Sequence, residues 1–369
     1  MVLTQSFTIF VLLGCCILGG FISTKKYWKY LFVITVILSF VAFHYEPFLR
    51  TDLWWHYFHW EELKSVGYSF SNEQYDMLPL WKNYLWVIAL IGEKRLIPAV
   101  SLFISYGVVF YILWQEAKIN QKYNGMWIGV IFILLNINYI GWISNVRNNM
   151  AFALFLLAAY FEYRKKINKV LCWIVMVILC FLHPAIVLLV GLRMLLNLFS
   201  KKSLGFMTII LVLFPVILQA FTSGVSVVFN GTFVGYVFNK VINYIFEAEE
   251  YHAKDMVFLV IRFITSTYIL YSHLGRKNTR EWDMWDKLVY AIWAMTLGLF
   301  NKYIVFYRMN EVLSMAAIKY VVMDGRLEGF LGENKGEINK YGFLILMESV
   351  LMFAYHNLLG TYYISKFVF

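Results

Sequence analysis

The chain has 369 residues, is 61% hydrophobic with a mean hydropathy of +0.65, and carries a formal net charge of +10. That apolar share excludes a soluble domain, and long uniformly apolar runs exclude a membrane β-barrel, whose strands alternate in polarity. The positive charge is no nucleic-acid signature, because Lys and Arg concentrate in loops between apolar runs, as the positive-inside bias requires.

About twelve apolar segments follow in chain order, at roughly 3–22, 30–44, 96–114, 126–142, 148–163, 170–183, 184–199, 204–222, 255–274, 286–303, 307–323 and 341–358. The first lacks a basic leader and is followed by Lys25, Lys26 and Lys29, which predicts a retained span with its N-terminus outside. Later basic loops carry Lys118/Lys122, Arg164/Lys165/Lys166/Lys169, Lys201/Lys202, Arg276/Lys277/Arg280 and Arg326/Lys335/Lys340. The alternation predicts an all-α polytopic membrane protein, one integral membrane domain over 1–369, with both termini outside. Two outer loops are long, about 45–95 and 223–254; loops of that length tend to be functional or disordered, and the aromatics in both favour order. The first ends in an amphipathic piece, Pro79 to Gly92, suited to the outer leaflet. The second holds Glu247, Glu249, Glu250 and His252. No internal repeat is visible. Cys15, Cys16, Cys172 and Cys180 all lie in apolar runs and read as small core residues.

The first outer loop opens with Glu46, Arg50, Thr51 and Asp52, then Trp54, Trp55, His56, Tyr57 and His59. On a helix, Asp52 and His56 stand one turn apart, and a carboxylate beside an imidazole can orient a general base. The alternative is an interfacial amphipathic helix with solvated polar tips. His59 adds a third candidate metal ligand, but spacing alone does not make a metal site. Arg147 stands among Asn145, Asn148 and Asn149 at the outer start of a span. A guanidinium there, at a helix N-terminus, suits phosphate oxygens; the alternative is a snorkelling side chain.

His183-Pro184 breaks two spans, since Pro disfavours helix just before it. The basic loop between them returns Arg147 and His183 to one outer side. Arg308 and Glu311 lie near the outer end of a late span, as a structural pair or a second phosphate clamp. Arg193 and Arg262 lie deeper, with Glu348 as a candidate partner; charges at such depth are costly and face a bundle interior or a wet cavity.

Three of these places together resemble the EpsG-type branch of the Wzy-like polysaccharide polymerases. Arg50-Thr51-Asp52 with His56-Tyr57 resembles the family's Gly/Thr-Asp-Tyr-x-x-Tyr segment after the second span. Asn145-Val146-Arg147-Asn148-Asn149-Met150-Ala151 is similar to its Gly-x-Arg-Gln-x-x-Ala span start, and Phe181-Leu182-His183-Pro184-Ala185 resembles its Phe-His-x-Ser-Ala segment. Asn148 departs from the usual Gln, and Arg50-Thr51 from the glycine-rich approach to Asp52. The resemblance covers about the first 200 residues, with the Arg308 region beyond them.

It implies a helical fold similar to GT-C glycosyltransferases, in a bacterial cytoplasmic membrane. The implied enzyme joins oligosaccharide units carried on undecaprenyl diphosphate, at the outer face, into O-antigen, capsule or exopolysaccharide. Asp52, Arg147 and His183 are then the expected catalytic residues. Glu46, Arg50, His56, Tyr57, Asn145, Asn148 and Arg308 are expected to bind substrate. No metal or cofactor is expected. Flippase and chain-length regulator proteins are expected partners beside the bilayer, and nucleic acid is not. The competing expectations are a lipid-linked glycan flippase or transporter, and a membrane glycan acyltransferase.

Overall fold

The computed structural model describes residues 2–3, 5–49, 51–198, 204–218, 232–246, 253–277, 281–326, 338–359 and 366–368. The described residues are overwhelmingly helical: α1 (Gln5–Gly19), α2 (Tyr27–Phe43), α3 (Asp52–Val66), α4 (Glu73–Asp76), α5 (Pro79–Ile91), α6 (Leu96–Ile119), α7 (Met126–Ile131), α8 (Tyr139–Ser144), α9 (Val146–Tyr163), α10 (Lys169–Leu179), α11 (Ile186–Leu198), α12 (Leu204–Val212), α13 (Phe233–Phe246), α14 (Ala253–Leu274), α15 (Met284–Gly298), α16 (Tyr303–Asp324) and α17 (Lys340–Ala354). Short strands β1 (Val2–Leu3), β2 (Tyr45–Glu46) and β3 (Lys366–Val368) form one antiparallel sheet in the order β1-β3-β2.

Each expected apolar segment contains helix among the described residues, but not every helix is long. Three described helical stretches, Thr24–Phe43, Leu96–Ile119 and Asp255–Leu274, are long and apolar enough to cross a membrane. Shorter apolar helices occupy Phe7–Gly19, Tyr123–Asn136, Lys169–Leu179 and Ile186–Asn197. The outward faces of Phe7–Gly19 and Lys169–Leu179 are themselves apolar. On α10, Cys172, Met176 and Leu179 are buried, while Val170, Leu171, Ile174, Val175, Val177 and Ile178 face outward. Water would penalise that outer face, and lipid does not. The fold is therefore that of a helical, membrane-associated protein.

The chain clusters into two compact units. Unit 1 comprises Met1–Asn72, Trp81–Leu154 and Ile318–Phe369; unit 2 comprises Glu73–Leu80 and Phe155–Ala317. In unit 1, α2 packs along α6. The sheet pairs Val2 with Val368, and Glu46 with Lys366. Both ends of the chain and the start of the first long loop thus share one side of unit 1. A second join lies near Gly125, where an added Cβ would stand 2.1 Å from the Val322 carbonyl oxygen. Backbone cannot yield as a side chain can, so Gly125→Ala is expected to lower the thermal midpoint in detergent by several degrees, a cost of about 1–3 kcal/mol. An unchanged midpoint would mean that this contact is looser than described.

The expected span at 126–142 is interrupted. After α7 the helix widens into a π turn over Phe132–Asn136; Ile137 is extended, and Asn138 caps α8 by accepting from the Gly141 N–H at 2.9 Å. The Asn138 side chain takes a backbone N–H as its partner, which favours a new helix start there over a continuous span. The Asn136 side chain donates to Glu348, and the His356 ring lies 3.3 Å from the Asn136 carbonyl oxygen.

In unit 2, α12 lies against α15: the Thr208 and Tyr290 hydroxyls are 2.9 Å apart. Asp283 and Asp286 form a reciprocal capping box at the start of α15. The expected partnership of Arg193 with Glu348 is corrected. Arg193 instead forms a two-pronged pair with Glu162, Nε to Oε2 at 2.9 Å and Nη2 to Oε1 at 2.5 Å. Its Nη1 donates to Asn197, and its guanidinium lies 5.2 Å from the Trp173 ring centre. Both partners are buried, and the fork is filled.

Candidate functional site

The end of unit 1 that carries the sheet also carries the best-formed cluster of expected site residues. α3 begins at Asp52: the Thr51 hydroxyl accepts from the Trp54 N–H, and Gly67, at φ +88°, closes the helix with its N–H on the Leu63 carbonyl. α3 packs against α8, the short helix before Asn145. Asn145 ends α8, donating its N–H to the Gly141 carbonyl at 2.8 Å, and α9 starts at the next residue. Arg147 is therefore in the first turn of α9, half-buried, with Asn148 and Asn149 buried beside it in sequence. The Asn149 side chain donates back to the Trp142 carbonyl at 3.3 Å, tying α9 to α8.

Packing α3 on α8 brings His56 within electrostatic reach of Arg147. Burial pushes the His56 imidazole well below its usual range; the Arg147 charge and then His59 push the same way. Trp81 covers it, edge to face, with ring centres 4.8 Å apart. His56 is thus a neutral imidazole close to a fixed cation.

Its folded pKa lies below the unfolded value of about 6.5, so below pH 6.5 the unfolded chain takes up a proton that the folded chain refuses. Stability is full above about pH 6.5 and falls as pH drops toward the depressed folded pKa, by about 1.4 kcal/mol per pH unit. Thermal midpoints between pH 7.5 and 5 are expected to fall for the wild type and to flatten for His56→Phe. Parallel pH profiles would remove His56 as the cause.

Asp52 and His56 share α3, but no hydrogen bond or ion pair joins them. The Asp52 carboxylate is exposed at the helix start and makes no hydrogen bond with described residues. The carboxylate–imidazole pair on this helix is instead His59 with Glu62, at 2.8 Å. Trp55 and Phe58 expose aromatic faces; Trp55 stacks on His59, and Phe58 on Trp54. Tyr57 is buried, and its hydroxyl makes no hydrogen bond. Burial holds that hydroxyl's pKa up; Glu46 and Glu93 add to the effect, and Arg95 opposes it. Glu93 binds Arg95 through both carboxylate oxygens, which lowers its own pKa to about 2. Glu46 is exposed on β2.

Arg50 lies outside the described residues, as do Glu247, Glu249, Glu250 and His252 of the second long loop. His183 and Arg308 belong to unit 2. His183 sits in the turn between α10 and α11 and is buried. Its Nδ1 accepts the Ala185 N–H at 3.2 Å, capping the broken helix. Arg308 is half-buried on α16, beside Tyr307, whose hydroxyl donates to Glu311 at 2.9 Å.

Among the described residues, no group of three or more His, Cys, Asp or Glu is placed to hold a metal ion. The sequence reading missed Trp81, which shields His56, and Glu162, which neutralises Arg193. A lone acid near the end of an apolar helix was the available signal for Glu162. The chain matches no protein-family profile, no curated protein and no solved structure.

Proposed function

We propose that the chain is a membrane glycosyltransferase of the Wzy-like polymerase kind. In this reading it joins undecaprenyl-diphosphate-linked oligosaccharide units into a surface polysaccharide at the outer face of the bacterial cytoplasmic membrane. The observation that carries the reading is the electrostatic proximity of neutral His56 on α3 to Arg147 at the start of α9, with the exposed carboxylate of Asp52 one turn before His56 on the same helix. About twelve crossings, outward orientation, and flippase and chain-length regulator partners belong to the same proposal.

The chemistry moves a growing chain from its lipid diphosphate to a sugar hydroxyl. The acceptor hydroxyl loses its proton, its oxygen bonds to the anomeric carbon, and the bond from that carbon to the diphosphate oxygen breaks. Asp52 is the proposed base, since its carboxylate is accessible and unoccupied. Arg147 is the proposed clamp for the departing diphosphate, aided by the N-terminus of α9. His56, uncharged, leaves the Arg147 field available to the anion and can donate to it. The exposed rings of Trp55 and Phe58 suit sugar faces.

A flippase would place charges along a central path. Arg193, one of the two deep arginines that suggested such a path, is neutralised by Glu162. In a strain lacking the gene, single repeat units are expected to accumulate on the outer leaflet while long chains vanish. Units held on the cytoplasmic leaflet would overturn the polymerase reading in favour of a flippase.

A further inference from the structure

Among the described residues Arg262 makes no ion pair like that of Arg193, although its charge reaches Tyr307, whose hydroxyl donates to the buried Glu311 carboxylate. Arg262 lies on α14 with no solvent exposure, and its Nε donates to the Ser314 hydroxyl of α16 at 3.1 Å. Both terminal nitrogens are buried and make no hydrogen bond with described residues. Two such nitrogens lie side by side in the guanidinium plane and match two oxygens of one acceptor. Burying a cation with most of its donors unmet is among the most costly arrangements in a protein, and inside a membrane protein it marks a function by default.

A second orphan lies on the same helix pair. Asn310 is fully buried on α16; its amide nitrogen reaches the Leu259 carbonyl of α14 at 3.4 Å, while its amide oxygen receives no hydrogen bond from described residues. Ser314 is anchored in turn on the Asn310 carbonyl at 2.9 Å. Leu259 and Arg262 are three apart on α14, and Asn310 and Ser314 four apart on α16, so the two contacts form successive rungs of one ladder. The orphan groups are complementary in kind: donors on Arg262, an acceptor on Asn310.

We infer that Arg262 and Asn310 form an oxyanion subsite for a glycosyl phosphate, in which Arg262 takes two phosphate oxygens and Asn310 accepts from a sugar hydroxyl. The subsite lies within unit 2 and goes beyond the site proposed on unit 1. It rests on the polymerase reading only in preferring a phosphate to a sugar carboxylate as the oxyanion. The Ser314 hydroxyl, holding Nε, fixes the plane of the guanidinium, which makes Ser314 a positioning residue.

The test is the thermal midpoint of the full-length protein in nanodiscs, titrated with glucose 1-phosphate, inorganic pyrophosphate or glucuronate. Both phosphates are expected to raise the wild-type midpoint, and glucuronate is expected to have at least 10-fold lower apparent affinity. Arg262→Met keeps the bulk and removes the donors, and is expected to abolish the Arg262-dependent shift. Arg262→Lys keeps the charge but not the fork and should weaken it at least 10-fold. Arg147→Met is expected to retain a glucose 1-phosphate shift, so failure of the unit 1 reading and failure of this one are distinguishable. Should Arg262→Met not fold, Asn310→Ala supplies the second variant, with a weakened response to glucose 1-phosphate and an unchanged response to pyrophosphate. A wild-type midpoint insensitive to both phosphates, equal shifts in wild type and Arg262→Met or Arg262→Lys, or a stronger response to glucuronate would overturn the assignment.

Discussion

Arg147→Lys and Arg147→Ala are both expected to abolish polysaccharide chain growth while the protein stays at its normal level in the membrane. The physical ground is the placement of Arg147 in the first turn of α9, where its fork and the helix N-terminus are proposed to address the same anion. Removing one preorganised donor set from a developing anion costs about 100- to 1,000-fold in rate. Lys keeps the charge but cannot present two parallel N–H groups, so it does not substitute. Ala is the best helix former and leaves α9 intact, so loss of activity in that variant is not loss of fold. The check is the length distribution of surface polysaccharide alongside immunoblotting of the membrane fraction. Wild-type chain lengths in both variants would remove Arg147 from the chemistry.

Arg193 gives the opposite pattern, a large effect on stability. Its pair with Glu162 is buried on both sides, so truncating either partner strands a charge away from water. Arg193→Ala and Glu162→Ala are each expected to cost about 3–5 kcal/mol, read as a marked fall in thermal midpoint in detergent. The double variant Arg193→Met/Glu162→Leu removes both charges while keeping volume, and its midpoint is expected to return close to wild type. Single variants as stable as wild type would show that the pair is not isolated from water. Arg193 and Arg262 look alike in sequence and differ in the fold: one fork is filled by Glu162, and the other has only its Nε engaged.

Helix positions were legible because apolar runs and basic punctuation are local signals. The start of α3 at Asp52, the start of α9 just before Arg147 and the break at His183-Pro184 all follow from capping and Pro chemistry. The π turn before Ile137 was not legible, since an Asn inside an apolar run looks like any other polar interruption. Pairings were legible only where sequence neighbours make them. Arg193 and Glu162 are 31 residues apart on different helices, and only packing selects one acid over another. His56 was expected to answer to Asp52, its neighbour one turn away; the fold gives it Trp81 and the field of Arg147 instead. Helical spacing names which residues share a face but not which of them is covered.

The most direct measurement reconstitutes the purified protein in liposomes with undecaprenyl-diphosphate-linked repeat units and resolves the products by size. The expected product is a ladder of lipid-linked chains at whole-unit intervals, with undecaprenyl diphosphate released at each step and neither produced by Arg147→Ala. Units that cross the bilayer, or become acylated, without forming longer chains would contradict the account.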